Sequence, residues 1–535
     1  MQHGGFCLRN KMIGIHANNE VITANDGRTT NTNYMDFLLT LGTVAFYDMD
    51  ASVASLLHKI ELTEEEGIKL RDKSKLNLVI ANNTYSLTYY PGKFFSIYRG
   101  DKVSVYCYNC KQFMGYSDDK TPLECAQRAL KVAHEVLASY KKIGIDSKSL
   151  ISPISAFVKA GRYPKTVTLE DLPEEVAKLS YDCMQGNWVE TYKLGSFPVV
   201  YDYDIRGAYG YELTQILDTR RGAWIQDTCK PEGSVYGFAK GKLNIDSPFS
   251  PFLFGNGDMR YTPTGNREVT ITQQEWEFLL DYKLGASFEC YDAWWWIPEG
   301  PQYNPFKGVV TYLSNLRKDV DPLTNSIIKR VIAGIWGYCS QTKGTTNLSF
   351  GDYFSPVVAA VVETNCRLKV ARTILDNDLF PYLINIAVDG IVTTKEMPVG
   401  NGEMGSWRLT HQGKGLAVSS GIVGIEGKSS EEEFSVTYDK LIDMFASNPD
   451  QSEYTMEKYS PCTFAKAMNE KDLSRLGVVE LANRTIKIEP DVKRIYKERP
   501  VTGGDLLNNT YESTPVDISI LEYDFSDIKT EASWE

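Results

Sequence analysis

Apolar residues occur along the chain in short blocks separated by turn residues, and the blocks differ in period. Residues 40–50 form an apolar stretch ending in Asp48 and Asp50, and Leu76 to Ile80 form another; both predict buried strands. From Tyr85 to Tyr108 the pattern alternates, broken at Pro91-Gly92 and at Arg99-Gly100-Asp101, which predicts strands joined by turns. Leu123 to Tyr140 carries apolar residues at helical spacing. The first 160 residues thus read as one α/β unit. Thr166 to Ala177, with Glu174 and Glu175, reads as a helix leading into a second unit.

The second unit opens on Val199-Val200-Tyr201-Asp202-Tyr203-Asp204, a β-branched and aromatic strand tipped by an acid. Residues 216–300 change texture to Gly, Pro and aromatics, including Trp294-Trp295-Trp296, and read as an insertion of strands and loops. Such an aromatic run is more often core than a stacking platform. Phe306 to Lys318 and Leu323 to Trp336 predict two helices joined at Asp319-Val320-Asp321-Pro322 into an antiparallel hairpin. Val357 to Leu375 predicts a further helix. Tyr382 to Val388 predicts a strand, Asp389 its tip, and Ile391 to Thr394 the returning strand. No internal repeat is visible.

Composition is that of an ordinary globular chain, with 42% apolar and 24% charged residues in 535, which excludes collagen-like and wholly disordered classes. The net charge of −12, taken as an average, argues against a nucleic-acid partner. The distribution alters that picture. Residues 501–535 carry eight acids against Lys529 alone, whereas Arg484, Lys487, Lys493, Arg494, Lys497 and Arg499 just before them meet only Glu489, Asp491 and Glu498. The tail is either a solvated end or a competitor for a polyanion groove. No apolar run reaches the roughly 18 residues of a membrane span. No basic, then apolar, secretory leader opens the chain, so a cytoplasmic protein with no membrane partner is expected. Cys107 and Cys110 form a lone C-x-x-C, too few ligands for zinc, and reduced thiols are expected.

Asp204 and Asp389 are the candidate chemistry. Acids at strand ends aim carboxylates from a rigid sheet. Mg²⁺ takes one or two carboxylates plus phosphate oxygens and water, and paired ions clamp an in-line phosphoryl transfer. Arg317, Lys318, Lys329 and Arg330 on the helical hairpin offer charges for a triphosphate. Singly, a strand-end acid more often marks a loop, and a charged helix face is more often solvated.

The order of these features resembles the family B DNA polymerases, especially the small phage branch that includes protein-primed enzymes. The first palm motif, D-x-x-S-L-Y-P, is matched by Asp204-Ile205-Arg206-Gly207-Ala208-Tyr209-Gly210. The fingers motif, K-x-x-x-N-S-x-Y-G, is matched by Lys329-Arg330-Val331-Ile332-Ala333-Gly334-Ile335-Trp336-Gly337. The second half of Y-x-D-T-D-S-I is matched by Ala387-Val388-Asp389-Gly390-Ile391. Cys183-Met184-Gln185-Gly186-Asn187 is similar to a worn Y-x-G-G linker, and Gly405-Ser406-Trp407 lies where the family often has a similar pair. The resemblance covers roughly 165–430. It implies an α/β multidomain fold: an RNase-H-like exonuclease-type domain over 1–165, a palm over 166–300 and 341–430, fingers over 301–340, a thumb over 431–500 and an acidic tail over 501–535. The palm's first part would carry the insertion at about 216–300.

The resemblance further implies template-directed addition of dNTPs to a primer 3′-hydroxyl. Asp204 and Asp389 would bind two Mg²⁺ ions, or Mn²⁺. Tyr209 would lie under the sugar and exclude a 2′-hydroxyl. Lys329 would neutralise the triphosphate with Arg317 as a second cation, and Ile205 and Arg206 would lie beside it. Lys487, Lys493, Arg494 and Lys497 would follow the phosphates of a DNA primer–template. A terminal protein or other replication protein is a further implied partner. The chain departs from the motifs at Gly207, Gly210, Ala333, Gly334, Trp336, Ala387 and Gly390. Asp48-Met49-Asp50 is a poor match to the exonuclease D-x-E, Ile80 to Thr84 lies where a second acidic motif belongs, and Cys107 replaces an acid, so a degenerate exonuclease is expected. Tyr338 to Pro356 leaves little room for the family's second insertion. A replication scaffold without catalysis, and a nuclease run by the N-terminal domain, are the alternatives.

Overall fold

The computed structural model describes residues 12–521 except 18–20, 32–33, 42, 50–51, 54–55, 57–62, 74, 81–82, 91–93, 100–102, 111–112, 114–120, 148–149, 257–258, 344–348, 429–435, 463, 471–474, 476–478 and 489–492. Asp50, the turn at 91–92 and the acidic tail beyond Leu521 therefore lie outside the described residues. The chain forms two compact units, one drawn from Met1–Tyr163, Arg317–Val331 and Glu457–Arg484, the other from Pro164–Leu316, Ile332–Met456 and Thr485–Glu535.

The first unit is built on one sheet. Its strands are β1 (Ile13–Ala17), β2 (Ile22–Ala24), β3 (Thr29–Thr30), β4 (Thr43–Phe46), β5 (Lys75–Ile80), β6 (Asn83–Tyr90), β7 (Phe94–Arg99) and β8 (Val103–Asn109). They lie in the order β3-β2-β1-β4-β8-β7-β6-β5. β4 runs parallel to both β1 and β8, and the other pairs are antiparallel. Helix α1 (Pro122–Lys142) starts on a capping box, Thr121 with Glu124, and ends on Lys141 and Lys142, which suit the two ends of its dipole. It lies directly on β1. A Cβ at Gly14 would meet the Ala126 carbonyl at 2.0 Å, so only glycine lets strand and helix backbones approach this closely. Ile15, Val44, Phe46, Leu87, Phe95 and Ile97 form the core.

The second unit holds another eight-stranded sheet. A short helix α2 (Glu174–Asp182) precedes β9 (Val189–Thr191) and β10 (Lys193–Ile205), which leads into α3 (Ala208–Leu213). The insertion follows as β11 (Gly222–Gln226), β12 (Tyr236–Ile245), β13 (Phe254–Asn256), β14 (Met259–Tyr261), β15 (Gly265–Thr272), α4 (Gln273–Tyr282) and β16 (Ser287–Pro298). Helices α5 (Lys307–Leu316) and α6 (Pro322–Cys339) come next, then a two-stranded ribbon of β17 (Thr342–Lys343) and β18 (Ser349–Phe350), then α7 (Pro356–Asp376). β19 (Leu383–Ala387), β20 (Gly390–Thr393), β21 (Trp407–Ser419) and β22 (Ile422–Ile425) complete the main sheet, in the order β22-β21-β10-β20-β19-β9. Helix α8 (Tyr438–Ser447), β23 (Glu453–Pro461), β24 (Val479–Lys487), β25 (Arg494–Tyr496) and β26 (Thr510–Pro515) close the chain, with β26 pairing onto the start of β10.

Helix α7 is buried along almost its whole length and packs with the β10, β19 and β20 side chains Tyr203, Ile386 and Ile391. The insertion is a four-stranded sheet, β11-β16-β12-β15, on the same core. Trp295 and Trp296 are fully buried, and their indole N–H groups donate to the Asp227 and Thr219 carbonyls, so these rings are structural. Among the described residues no helix is long and apolar enough to cross a membrane.

Two local expectations differ from the structure. The helix expected over Thr166 to Ala177 begins only at Glu174, because Pro173 drives Leu172 to extended geometry; before it lies one 3₁₀ turn, Leu169–Asp171. Helix α4 interrupts an insertion read as strands and loops; it is announced by the capping box Thr272 with Glu275. The acidic stretch at 48–50 follows β4, the fourth strand. The sheet's first strand is β1, whose sequence Ile-Gly-Ile-His-Ala has no carboxylate. The expected degenerate exonuclease motif thus stands after a strand that runs between β1 and β8, with Asp48 among the described residues and Asp50 outside them.

Candidate active site

The register of the main sheet builds the site. β10 pairs antiparallel with β20 so that Asp204 stands opposite Gly390, the residue after Asp389. The Ile205 N–H donates to the Asp389 carbonyl at 3.0 Å. The two strand-tip acids, remote in sequence, are therefore neighbours. β19 and β20 are joined by a two-residue hairpin, Val388-Asp389, closed by the pair Ala387 and Gly390. Val388 has φ +61°, a left-handed conformation that costs a β-branched residue of order 1–3 kcal/mol and is found at functional turns. Its N–H donates to the Trp188 carbonyl at 2.8 Å, which helps hold the turn.

Laterally paired residues point to one face of a sheet. Asp204, Gly390 and Ala387 form such a row across three strands, and Arg408 of β21 extends it on the other side of Asp204. Where the polymerase motif has its first acid the row carries the methyl of Ala387. Arg408 donates to Asp204 Oδ2 from Nη2 at 2.6 Å and from Nε at 3.2 Å. Two residues earlier, on the same face, Asp202 accepts from Lys428 Nζ at 2.7 Å with His411 Nδ1 at 3.7 Å. Arg408 was not visible as a site residue in the sequence, because strand register alone pairs it with an acid some 200 positions away.

Tyr209 sits on α3 beside these acids. Its ring lies 4.6 Å from that of Trp336, centroid to centroid, and its hydroxyl donates to Asn187 Oδ1 at 3.1 Å. Burial, with Cys366, Glu363 and Asp389 nearby, holds the phenol far above its usual range. The worn linker is thus part of the site through Asn187. A Cβ at Gly210 would meet Ile332 Cγ2 at 2.8 Å, so the glycine at the motif's proline position fits the close approach of α3 to α6. Behind Tyr209, Glu363 of α7 is buried with Arg367, whose Nη1 is 3.7 Å away and whose Nη2 donates to Glu275 Oε1 at 2.7 Å. Burial pushes the Glu363 carboxyl up to about 7, opposed by Arg367 and by the Gly186 N–H.

Ile205 and Arg206 lie at the site, but their N–H groups are taken by the Asp389 and Ser406 carbonyls. These bonds tie the start of the motif to the Asp389 turn and to the segment before β21, and the Arg206 side chain is exposed. Lys329 and Arg317 belong to the first unit. Lys329 is exposed on α6. Arg317 Nε donates to Asn325 Oδ1 at 2.7 Å. Asp321 caps α6 at the Thr324 N–H and pairs with Lys142 at 2.7 Å, while Thr324 donates to Ser139, which ties the start of α6 to α1.

The basic stretch at 484–499 divides. Arg494 is buried in an ion pair with Glu190 at 2.7 Å, its guanidinium 4.1 Å from the centre of the Tyr192 ring. Trp188, Tyr192 and Thr262 also donate to the Glu190 carboxylate. The expected phosphate contact at Arg494 is therefore overturned: β25 alternates, and Arg494 and Tyr496 face inward. Lys493 is half-buried, and its Nζ donates to the Val189 carbonyl at 2.8 Å. Lys497 is exposed, and Lys487 is exposed beside Glu453 at 3.0 Å.

Among the described residues no cluster of three or more acids, histidines or cysteines forms a ready metal cage. Asp204 and Asp389 supply two carboxylates, the donor set that suits Mg²⁺ when substrate phosphates complete its shell.

No protein-family model matches the sequence, and no curated protein matches it. Solved structures do match. The structure is similar to phi29 DNA polymerase complexed with primer–template DNA and incoming nucleotide, with a TM-score of 0.59 and 11% identity over 90% of this chain and all of that one. It is similarly close to phi29 DNA polymerase complexed with single-stranded DNA, with a TM-score of 0.57 and 12% identity over 90% and 100% of the two chains. The chain thus has a DNA polymerase fold, an exonuclease-type domain together with palm, fingers and thumb.

Proposed function

We propose that this chain is a template-directed DNA polymerase that adds dNTPs to a primer 3′-hydroxyl. The observation that carries this reading is the β10–β20 register, which makes Asp204 and Asp389 neighbours. The phi29 structures hold primer–template DNA and nucleotides in the same fold. In the reaction the primer 3′-hydroxyl gives up its proton to solvent as its oxygen attacks the α-phosphorus, the bond from the α-phosphorus to the bridging oxygen breaks, and pyrophosphate leaves with the displaced electron pair. Asp204 and Asp389 would hold Mg²⁺, which when bound supplies charge neutralisation at the attacking and leaving oxygens. Tyr209, backed by Trp336 and tethered by Asn187, presents a fixed ring edge against a ribose 2′-hydroxyl. Lys329, exposed on α6, is the proposed point charge for the triphosphate. Lys487 and Lys497 remain as exposed cations for duplex phosphates.

The alternative of a non-catalytic replication scaffold is favoured by one observation, the missing acid at Ala387 with Asp204 held by Arg408. Extension of a labelled primer on a defined template separates the two. Incorporation of only the template-matched dNTP supports the polymerase. DNA binding without extension supports the scaffold.

A further inference from the structure

The carboxylate face of β10 is lined with basic side chains. Asp202 has Lys428 and His411; Asp204 has Arg408, its cross-strand partner in β21. An isolated ion pair at a surface is commonplace and contributes little. This one differs by its place. In the row Arg408–Asp204–Gly390–Ala387 the arginine contacts the one carboxylate, and the far side has neither acid nor bulk. Asp204 Oδ2 takes both the Nη2 and the Nε of the guanidinium. That oxygen serves either the guanidinium or a divalent ion.

We propose that Arg408 is a resident counter-ion of Asp204 that competes with divalent cations for its carboxylate, so that metal entry requires the guanidinium to swing away. This rests on the reading of Asp204 as a metal-binding residue. In the row that reads acid, serine, acid in the polymerase motifs, this chain has Gly390 and Ala387 beside Asp204, and Arg408 pairs with the acid that is left. Without its partner, Asp204 would present an uncompensated charge beside Asp389; with it, the pair keeps the strand tips neutralised until a substrate-borne metal arrives. A further consequence is weak metal binding by the chain alone and tighter binding once triphosphate oxygens share the ion.

The test is Mn²⁺ binding to the full chain at pH 7, with no DNA or nucleotide, followed by the loss of the free-ion EPR signal. Arg408→Gln should bind Mn²⁺ about three- to tenfold more tightly than wild type, the order expected when a unit charge a few ångströms from a divalent ion is removed in a solvated site. Arg408→Lys, which keeps the charge but loses the fork, should fall between the two. Asp204→Asn should weaken binding in every background. If Asp204→Asn weakens binding but Arg408→Gln and Arg408→Lys both match wild type, the counter-ion role is overturned and the metal-binding role of Asp204 stands. If Asp204→Asn leaves binding unchanged, both are overturned. Thermal unfolding of each variant, measured alongside, establishes that the compared proteins are folded; should Arg408→Gln not fold, the Arg408→Lys comparison alone decides.

Discussion

Tyr209 and Trp336 stand with ring centroids 4.6 Å apart and planes tilted by 45°, so that the residue expected beneath the sugar leans on the residue that replaces the fingers tyrosine of the polymerase motif. The two form one aromatic wall, fixed at its far end by the bond from Tyr209 to Asn187. Removing the ring in Tyr209→Ala should raise the efficiency of ribonucleotide relative to deoxyribonucleotide incorporation by about tenfold or more, since one lost steric contact of 1.4 kcal/mol is a factor of ten. An unchanged ratio removes the sugar-gating role. Trp336→Ala should instead raise KM for dNTPs by about two- to tenfold, in line with the 0.5–1.5 kcal/mol of an aromatic pair.

Gly210 and Ile332 make a second contact in the same wall. Gly210→Ala forces a Cβ to within 2.8 Å of Ile332 Cγ2 and should cost about 1–3 kcal/mol of stability through overpacking. In a double-mutant cycle with Ile332→Ala the combined loss should fall short of the sum of the single losses, measured by denaturant unfolding. Additive losses would mean that the two sites do not touch.

Glu363 links the site to pH. Its carboxyl is raised by burial from 4.5 to about 7 in the folded chain. Between these values the folded chain retains a proton that the unfolded chain has released. Its contribution to stability is therefore full below about pH 4.5 and is lost as pH rises through about 7, a change on the order of 3 kcal/mol. The groups facing it are Arg367, Glu275, Arg260 and the Gly186 N–H. Glu363→Gln should flatten this part of the stability profile, raising stability at pH 8 and leaving it unchanged at pH 4. Parallel profiles for the two proteins would contradict the assignment.

Arg494 and Glu190 form the buried pair that ties β25 to β9. Arg494→Ala leaves a buried carboxylate unpaired and should cost about 3–5 kcal/mol of stability. At a phosphate contact the same change would leave stability intact and weaken DNA binding in a salt-dependent way. Unfolding and DNA titration of the one variant distinguish these outcomes.

Much of this architecture was legible in the chain. The acid-tipped strands at Asp204 and Asp389, the α5–α6 helices and buried α7 follow from period and punctuation, which are local properties. What escaped reading depends on register. Arg494 looks like one of six bases in a run, yet strand alternation turns it inward with Tyr496 while Lys497 stays outside. Arg408 follows Trp407 with no local signal at all, and only the pairing of β21 with β10 delivers it to Asp204. β1 is five residues long, and its role in the first sheet rests on parallel pairing with β4 across a long connection.

The account turns on whether Asp204 and Asp389 perform nucleotidyl transfer together. The decisive measurement is the single-turnover rate of matched dNTP incorporation into a primer–template by wild type, Asp204→Asn and Asp389→Asn, with DNA affinity measured in parallel. Wild type should extend the primer, and each substitution should slow incorporation by at least about 10²–10³-fold, the scale for removing one preorganised electrostatic contact to a transition state, with DNA affinity little changed. Extension that persists at the wild-type rate in either variant would contradict it.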